Sequence, residues 1–162
     1  DPLDEATEIG PMARKDLAQQ LLEQVSSSVS KGAKIIAGGS MPDKEGAFFN
    51  PTILTGVKPG MPAFDEEMFG PVASVIVVKD ENEAVEMANT SKFGLGGSIW
   101  TENTERGVAL AGRVESGAIF VNGLVKSDPR LPFGGIKRSG YGRELSYLGI
   151  KEFVNQKTIW VR

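Results

Sequence analysis

The chain has neither cysteine nor histidine in its 162 residues. Without cysteine there is no disulfide framework and no redox signal of compartment. Without either residue, the common zinc sites, a Cys–His pair and a Ser–His–Asp triad are all excluded. Long apolar runs are missing too. Val75–Val78, inside "VASVIVV", is far too short to cross a bilayer. Positive charge is not in excess: the formal net charge is −3, which argues against a nucleic-acid binder. The opening residues "DPLDEATEIG" lack the basic-then-apolar layout of a secretory signal, so secretion is not expected.

What remains is ordinary globular material, with 40% hydrophobic and 24% charged residues. The length predicts one domain with its own core. Leu17, Leu21, Val25 and Val29 recur every four residues and predict a helix from about Arg14 to Lys31, stopped by Gly32. On it, "SSSVS" (Ser26–Ser30) is placed on the polar side. "AKIIAGG" and "FFNPTILTG" read as short strands, and "PVASVIVVK" as a strand covered on both faces. Asp80 sits at an N-cap position with Glu83 three residues on, and Ala84, Val85 and Ala88 are the expected buried face. "GGSIWT" and "GAIFVNG" read as strands. "NTERGVALAGRV", opened by Asn103 or Thr104, and "ELSYLGIKEFVN" read as helices, and "QKTIWVR" as a closing strand. This alternation predicts an α/β fold, a mostly parallel sheet between layers of helices.

The glycine-rich stretch "LPFGGIKRSGYGRE" (Leu131–Glu144) has the look of a phosphate cradle. A P-loop needs Lys and Ser/Thr after its last Gly, but Tyr141 and Gly142 follow Gly140. A dinucleotide fingerprint needs a third Gly. That position is Leu145 when counted from Gly140, and Ile99 when counted from Gly94. Both templates fail, which leaves the glycines as providers of left-handed backbone and close approach.

Three segments carry a resemblance to the aldehyde dehydrogenase superfamily, and the opening stretch adds a fourth. "FDEEMFGPVASV" (Phe64–Val75) looks like its Glu-x-Phe-Gly-Pro segment, and "SGAIFVNG" (Ser116–Gly123) like its strand ending in Val-Asn. "LPFGGIKRSGYGRELSYLGIKEFVNQKTIWV" is similar to its Pro-Phe-Gly-Gly signature and closing strand, and "DPLDEATEIGPM" to the stretch following its catalytic loop. The resemblance runs over essentially the whole chain, in order. It implies a three-layer α/β portion of that family's catalytic domain over residues 1–155, with 156–162 as an oligomerisation strand. The dinucleotide domain, the nucleophilic Cys and the general-base Glu of the family lie upstream. The chain is therefore expected to be a C-terminal piece, without turnover on its own.

The resemblance implies NAD or NADP as cofactor, a small aldehyde as substrate, and a cytoplasmic homo-oligomer (dimer or tetramer) with no nucleic-acid or membrane partner. In the family a Cys thiolate attacks the aldehyde, hydride passes to the nicotinamide, and a Glu-activated water hydrolyses the thioester. Glu67 matches the residue that hydrogen-bonds the nicotinamide ribose. Its two acceptor oxygens suit a diol, although beside Asp65 and Glu66 it also reads as one acid of a solvated run. Phe69 matches the residue packing on the nicotinamide, and equally reads as a core aromatic before the Gly70-Pro71 entry into a strand. Neither residue is catalytic, and no metal site is expected.

Asn122 ends a strand of the kind at whose C-terminal end ligands sit. The loop Gly123–Pro132, "GLVKSDPRLP", then matches the one lining the family's aldehyde entrance. Ser127 falls where the succinate-semialdehyde branch holds the substrate's distal carboxylate, and it also fits a Ser-Asp-Pro turn. Lys126 and Arg130 read as solvent-facing, either being able to steer an acidic substrate. Phe133 matches an aromatic of the substrate tunnel, against plain core filling. Trp100 and Trp160 are assigned to packing. The leading expectation is a succinate-semialdehyde dehydrogenase segment. The rivals are an α/β binding or assembly module without chemistry and a dehydrogenase of another aliphatic aldehyde.

Overall fold

The structure is a computed structural model describing residues 1–162. It divides into two compact units, Asp1–Val78 and Lys79–Arg162, where the length predicted one domain. Each sheet lies within one unit.

In the first unit, helix α1 (Lys15–Ser30) buries Ala18, Leu21, Gln24, Val25 and Ser28. This face differs from the one predicted. Steps of four advance about 40° beyond a full helical turn each time, so the stripe from Leu17 has rotated off the core by Val29. Val29 is exposed, and Ser28, expected on the polar side, is completely buried. The helix ends in a full Schellman motif. Ala33 N–H donates to the Ser28 carbonyl at 3.0 Å and Gly32 N–H to that of Val29 at 2.9 Å, with Gly32 at φ +109°.

Strands β1 (Lys34–Ala37) and β2 (Thr52–Thr55) pair antiparallel across a bulge, and β2 pairs parallel with β3 (Val72–Val75). Leu54 of β2 joins Leu21 and Val25 of α1, Phe49, Val57 and Met61 in the core. A short helix α2 (Pro62–Asp65) closes it, with Ala63 buried. Strand β3 departs from the reading of "PVASVIVVK" as covered on both faces. Ala73, Ser74 and Val75 are exposed, although Ser74 Oγ donates to the Ala63 carbonyl at 3.0 Å and Val72 and Ile76 pack on the core.

The second unit opens with helix α3 (Glu81–Thr90), capped as predicted: Glu83 N–H donates to the Asp80 carboxylate at 2.9 Å. Strand β4 (Phe93–Gly94) pairs antiparallel with β7 (Ile136–Lys137). Strands β5 (Gly96–Ile99) and β6 (Ala118–Val121) run parallel, joined through helix α4 (Thr104–Ala111). Asn103 caps α4, accepting the Arg106 N–H at 2.9 Å. The expected α/β fold is present as three small sheets flanked by helices, with the longer pairings, β2–β3 and β5–β6, parallel and the shorter ones, β1–β2 and β4–β7, antiparallel.

Val85 is only half-buried and Ala84 and Ala88 are exposed. All three face an open cavity of about 320 Å³ together with Ile99, Leu110 and Ile119, rather than a closed core. Helix α5 (Ser146–Lys151) is shorter than "ELSYLGIKEFVN". It starts late because Glu144 is already paired with Phe133 through both backbone groups, at 2.9 and 2.8 Å. Residues 156–162 form no strand, having no ladder partner in the chain, and Trp100 and Trp160 are exposed rather than packed. No helix is long and apolar enough to cross a membrane.

Candidate functional site

In the first unit the acidic run Asp65-Glu66-Glu67 is not a uniform solvated face. Asp65 accepts the Gly60 N–H at 2.8 Å. The Glu66 carboxylate accepts from the buried Gln24 Nε2 at 2.9 Å, and the same nitrogen reaches the Glu67 carbonyl oxygen at 3.3 Å. The Glu67 carboxylate accepts no hydrogen bond from the chain. Gln24 therefore anchors the backbone of the run and leaves one carboxylate free. Gly70 lies so close on α1 that a Cβ there would collide with Leu21.

Glu67 and Phe69 line one pocket of about 380 Å³, with Ile9, Met12, Leu17 and Pro71. Phe69 is 70% exposed and so is not filling a core. A free carboxylate beside an open aromatic face, on largely apolar walls, fits a group carrying a diol next to a flat ring. The two residues paired in the sequence reading are thus brought together.

In the second unit, Asn122 takes φ +55°, a left-handed conformation that Asn tolerates. Its side chain bonds both backbone groups of Thr101, which occupies it structurally rather than offering it to a ligand. The loop that follows is organised by Asp128. Its backbone carbonyl closes a turn on Leu131 N–H at 2.9 Å. Its Oδ1 accepts Arg130 N–H and Nε, both at 2.9 Å, and its Oδ2 accepts Arg130 Nη2 at 2.7 Å. The Arg130 side chain, followed by its backbone N–H, holds the Asp128 carboxyl well below the usual carboxylate range. Ser127, the expected turn residue, makes no hydrogen bond and is exposed, as is Lys126.

Phe133 is half-buried and lines a cavity of about 730 Å³ with Leu95, Tyr141, Glu144, Ile150 and Phe153. Ser127 is not on its wall. The glycine-rich stretch is consumed internally. Gly140 and Gly142 take positive φ, whereas Gly134 and Gly135 are needed for close approach to Gly142 and Ser139. Lys137 Nζ donates to the carbonyls of Asn89 (2.7 Å) and Ser91 (3.1 Å) at the end of α3, and pairs with Glu115 at 2.8 Å. Arg143 donates to the carbonyls of Gly135 and Gly142. Two of its cations thus bind carbonyls of the fold. Gln24 and Asp128 were missed in the sequence reading. Asp128 was detectable as the first residue of an Asp-Pro turn, and Gln24 only as a polar interruption of an apolar helix face.

The Aldehyde dehydrogenase family profile matches residues 1–159. The chain is 48% identical over 161 residues to a probable succinate-semialdehyde dehydrogenase (NADP(+)) of Synechocystis sp., covering 99% of this chain and 36% of that protein. It is 46% identical over 160 residues to the succinate semialdehyde dehydrogenase (NAD(P)+) of Escherichia coli, covering 99% and 35%. Among solved structures, succinic semialdehyde dehydrogenase from Streptococcus pyogenes in complex with NADP+ superposes with a TM-score of 0.95 at 42% identity, over 99% of this chain and 35% of that one. The chain spans about a third of the length of the curated relatives it matches. With the fold, the order of motifs and the profile in agreement, the chain belongs to the aldehyde dehydrogenase family.

Proposed function

We propose that this chain supplies the nicotinamide-ribose wall and the aldehyde entrance of an NAD(P)-dependent dehydrogenase that oxidises succinate semialdehyde to succinate. The observation carrying this reading is the free Glu67 carboxylate beside the open face of Phe69, while its neighbour Glu66 is tied to Gln24. The names of the relatives supply the substrate class. NAD or NADP, when bound, accepts hydride from the aldehyde carbon.

Glu67 accepts hydrogen bonds from the two ribose hydroxyls, and Phe69 gives the ring an apolar wall. Ser127 donates its unengaged hydroxyl to the distal carboxylate of the substrate, and Phe133 lines the tunnel. The thiol and the general base come from outside this chain, which holds no cysteine. The whole protein acts as a homo-oligomer, with 156–162 pairing as a strand against another part of the assembly.

Steady-state kinetics of the whole protein test the reading. Glu67→Gln should raise the cofactor KM about tenfold or more, the worth of a charge-assisted hydrogen bond. Glu66→Gln should leave that KM nearly unchanged. Ser127→Ala should raise the KM for succinate semialdehyde and spare uncharged aldehydes of similar length. Equal effects of Glu66→Gln and Glu67→Gln would remove the cofactor assignment, and an unchanged aldehyde preference in Ser127→Ala would remove the carboxylate assignment.

A further inference from the structure

The entrance loop carries two cations and one acid, and the structure treats the cations differently. Arg130 is folded back on Asp128 through its backbone N–H, Nε and Nη2, all within 2.9 Å. Lys126 makes no hydrogen bond or close ion pair, and its charge acts on Asp128 only as the weakest of the influences there. The loop is held again within the fork, where Ser146 N–H donates to the Pro129 carbonyl at 3.0 Å. Ser127 immediately precedes the residue on which this construction rests. Its hydroxyl is free because the turn uses the Asp128 carbonyl and carboxylate instead.

We infer that Asp128 is a positioning residue for recognition of an anionic aldehyde: it fixes the turn that presents Ser127, engages the exposed Arg130 in an ion pair on the loop's own acid, and leaves Lys126 as the loop's cation without a hydrogen-bonded partner. The inference rests on the reading of Ser127 as the carboxylate contact. It goes against plain charge counting. An acid one residue from the anion-binding hydroxyl repels the substrate, so its removal, which also frees Arg130, should tighten binding if bulk charge decides. If positioning decides, its removal should weaken binding.

The test compares wild type, Asp128→Ala, Asp128→Asn and Lys126→Met in the whole protein, with succinate semialdehyde and with pentanal. Asp128→Ala is expected to raise KM for succinate semialdehyde about tenfold with kcat little changed. Pentanal should be affected about twofold or less. Asp128→Asn keeps an acceptor for the Arg130 N–H and should recover part of the loss. Lys126→Met should raise KM for the anionic substrate alone, and the gap from wild type should narrow as salt is added. Hydrogen exchange at the Leu131 amide should accelerate in Asp128→Ala, which reports the turn independently of activity.

A lowered KM for succinate semialdehyde in Asp128→Ala would overturn the inference in favour of bulk charge. So would unchanged preference, or equal losses on both aldehydes. A wild type without preference for the anionic aldehyde would remove the Ser127 reading and this inference with it. A preference that survives Asp128→Ala removes the inference alone.

Discussion

The carboxamide of Asn122 is held at both ends by the backbone of Thr101: Oδ1 accepts its N–H at 2.8 Å, and Nδ2 donates to its carbonyl at 2.9 Å. With Asn122 N–H on the Ile99 carbonyl at 2.8 Å, this continues the β5–β6 pairing by one residue after the backbone of β6 has turned left-handed. The root of the loop over residues 123–132 is thereby fixed before the loop begins.

Asn122→Asp tests that clamp cleanly, because Asp also tolerates a left-handed backbone and retains one acceptor. It replaces the donor facing the Thr101 carbonyl with an oxygen. The expected cost is about 0.5–1.5 kcal/mol, the net worth of a hydrogen bond whose groups stay accessible to water. It should be read as a lower denaturant midpoint. A midpoint equal to that of wild type would show that the clamp contributes nothing.

Ser28 carries the second prediction. Its hydroxyl donates to the Gln24 carbonyl at 2.8 Å and accepts the Ala63 N–H at 2.9 Å, joining α1 to the start of α2. Ser28→Ala leaves that N–H buried and unpaired, so a loss of about 1–3 kcal/mol is expected. Ser26→Ala, on the exposed side of the same helix, should stay within about 0.5 kcal/mol. Equal midpoints for the two variants would contradict the assignment.

The Asp128–Arg130 fork sets the pH response of the loop. The folded pKa of Asp128 is depressed, first by the Arg130 side chain and then by the Arg130 N–H. A depressed acid stabilises the folded loop above its unfolded pKa, and the stabilisation is lost as pH falls through the folded value. Order should thus persist through about pH 4, where an unpaired aspartate is already half protonated. It should fade only in stronger acid. Arg130→Gln should move the midpoint up toward the ordinary carboxylate range. Following the Asp128 side-chain carbon by NMR titration measures both, and coincident titrations would rule the fork out.

Local signals were legible in the sequence, and long-range covering was not. Gly32, Asp80 and Asn103 mark helix ends through chemistry that acts within a few residues, and each sits where it was read. The glycine-rich stretch was read as supplying left-handed backbone and close approach, and Gly140, Gly142, Gly134 and Gly135 are used in those two ways. Strand β3 was read as doubly covered because its composition suits a buried strand. Composition reports the environment a segment prefers, whereas exposure is decided by what packs on the strand, and Ala73 and Val75 are exposed. The three acids after α2 look alike in sequence, and only the distant Gln24, more than forty residues earlier, separates Glu66 from Glu67.

Every residue classed as buried in Lys79–Arg162 is a glycine: Gly94, Gly107, Gly135 and Gly149. A methyl group at any of the four would come within 3 Å of a neighbour: Ile136, Val121, Ser139 and Glu144 respectively. The usual map of mutational tolerance is therefore inverted in this unit. Several of its largest apolar side chains, Tyr141, Phe153 and Trp160 among them, are exposed, while its smallest residues, which contribute almost no hydrophobic area, are the ones where an added methyl group obliges a neighbour to move.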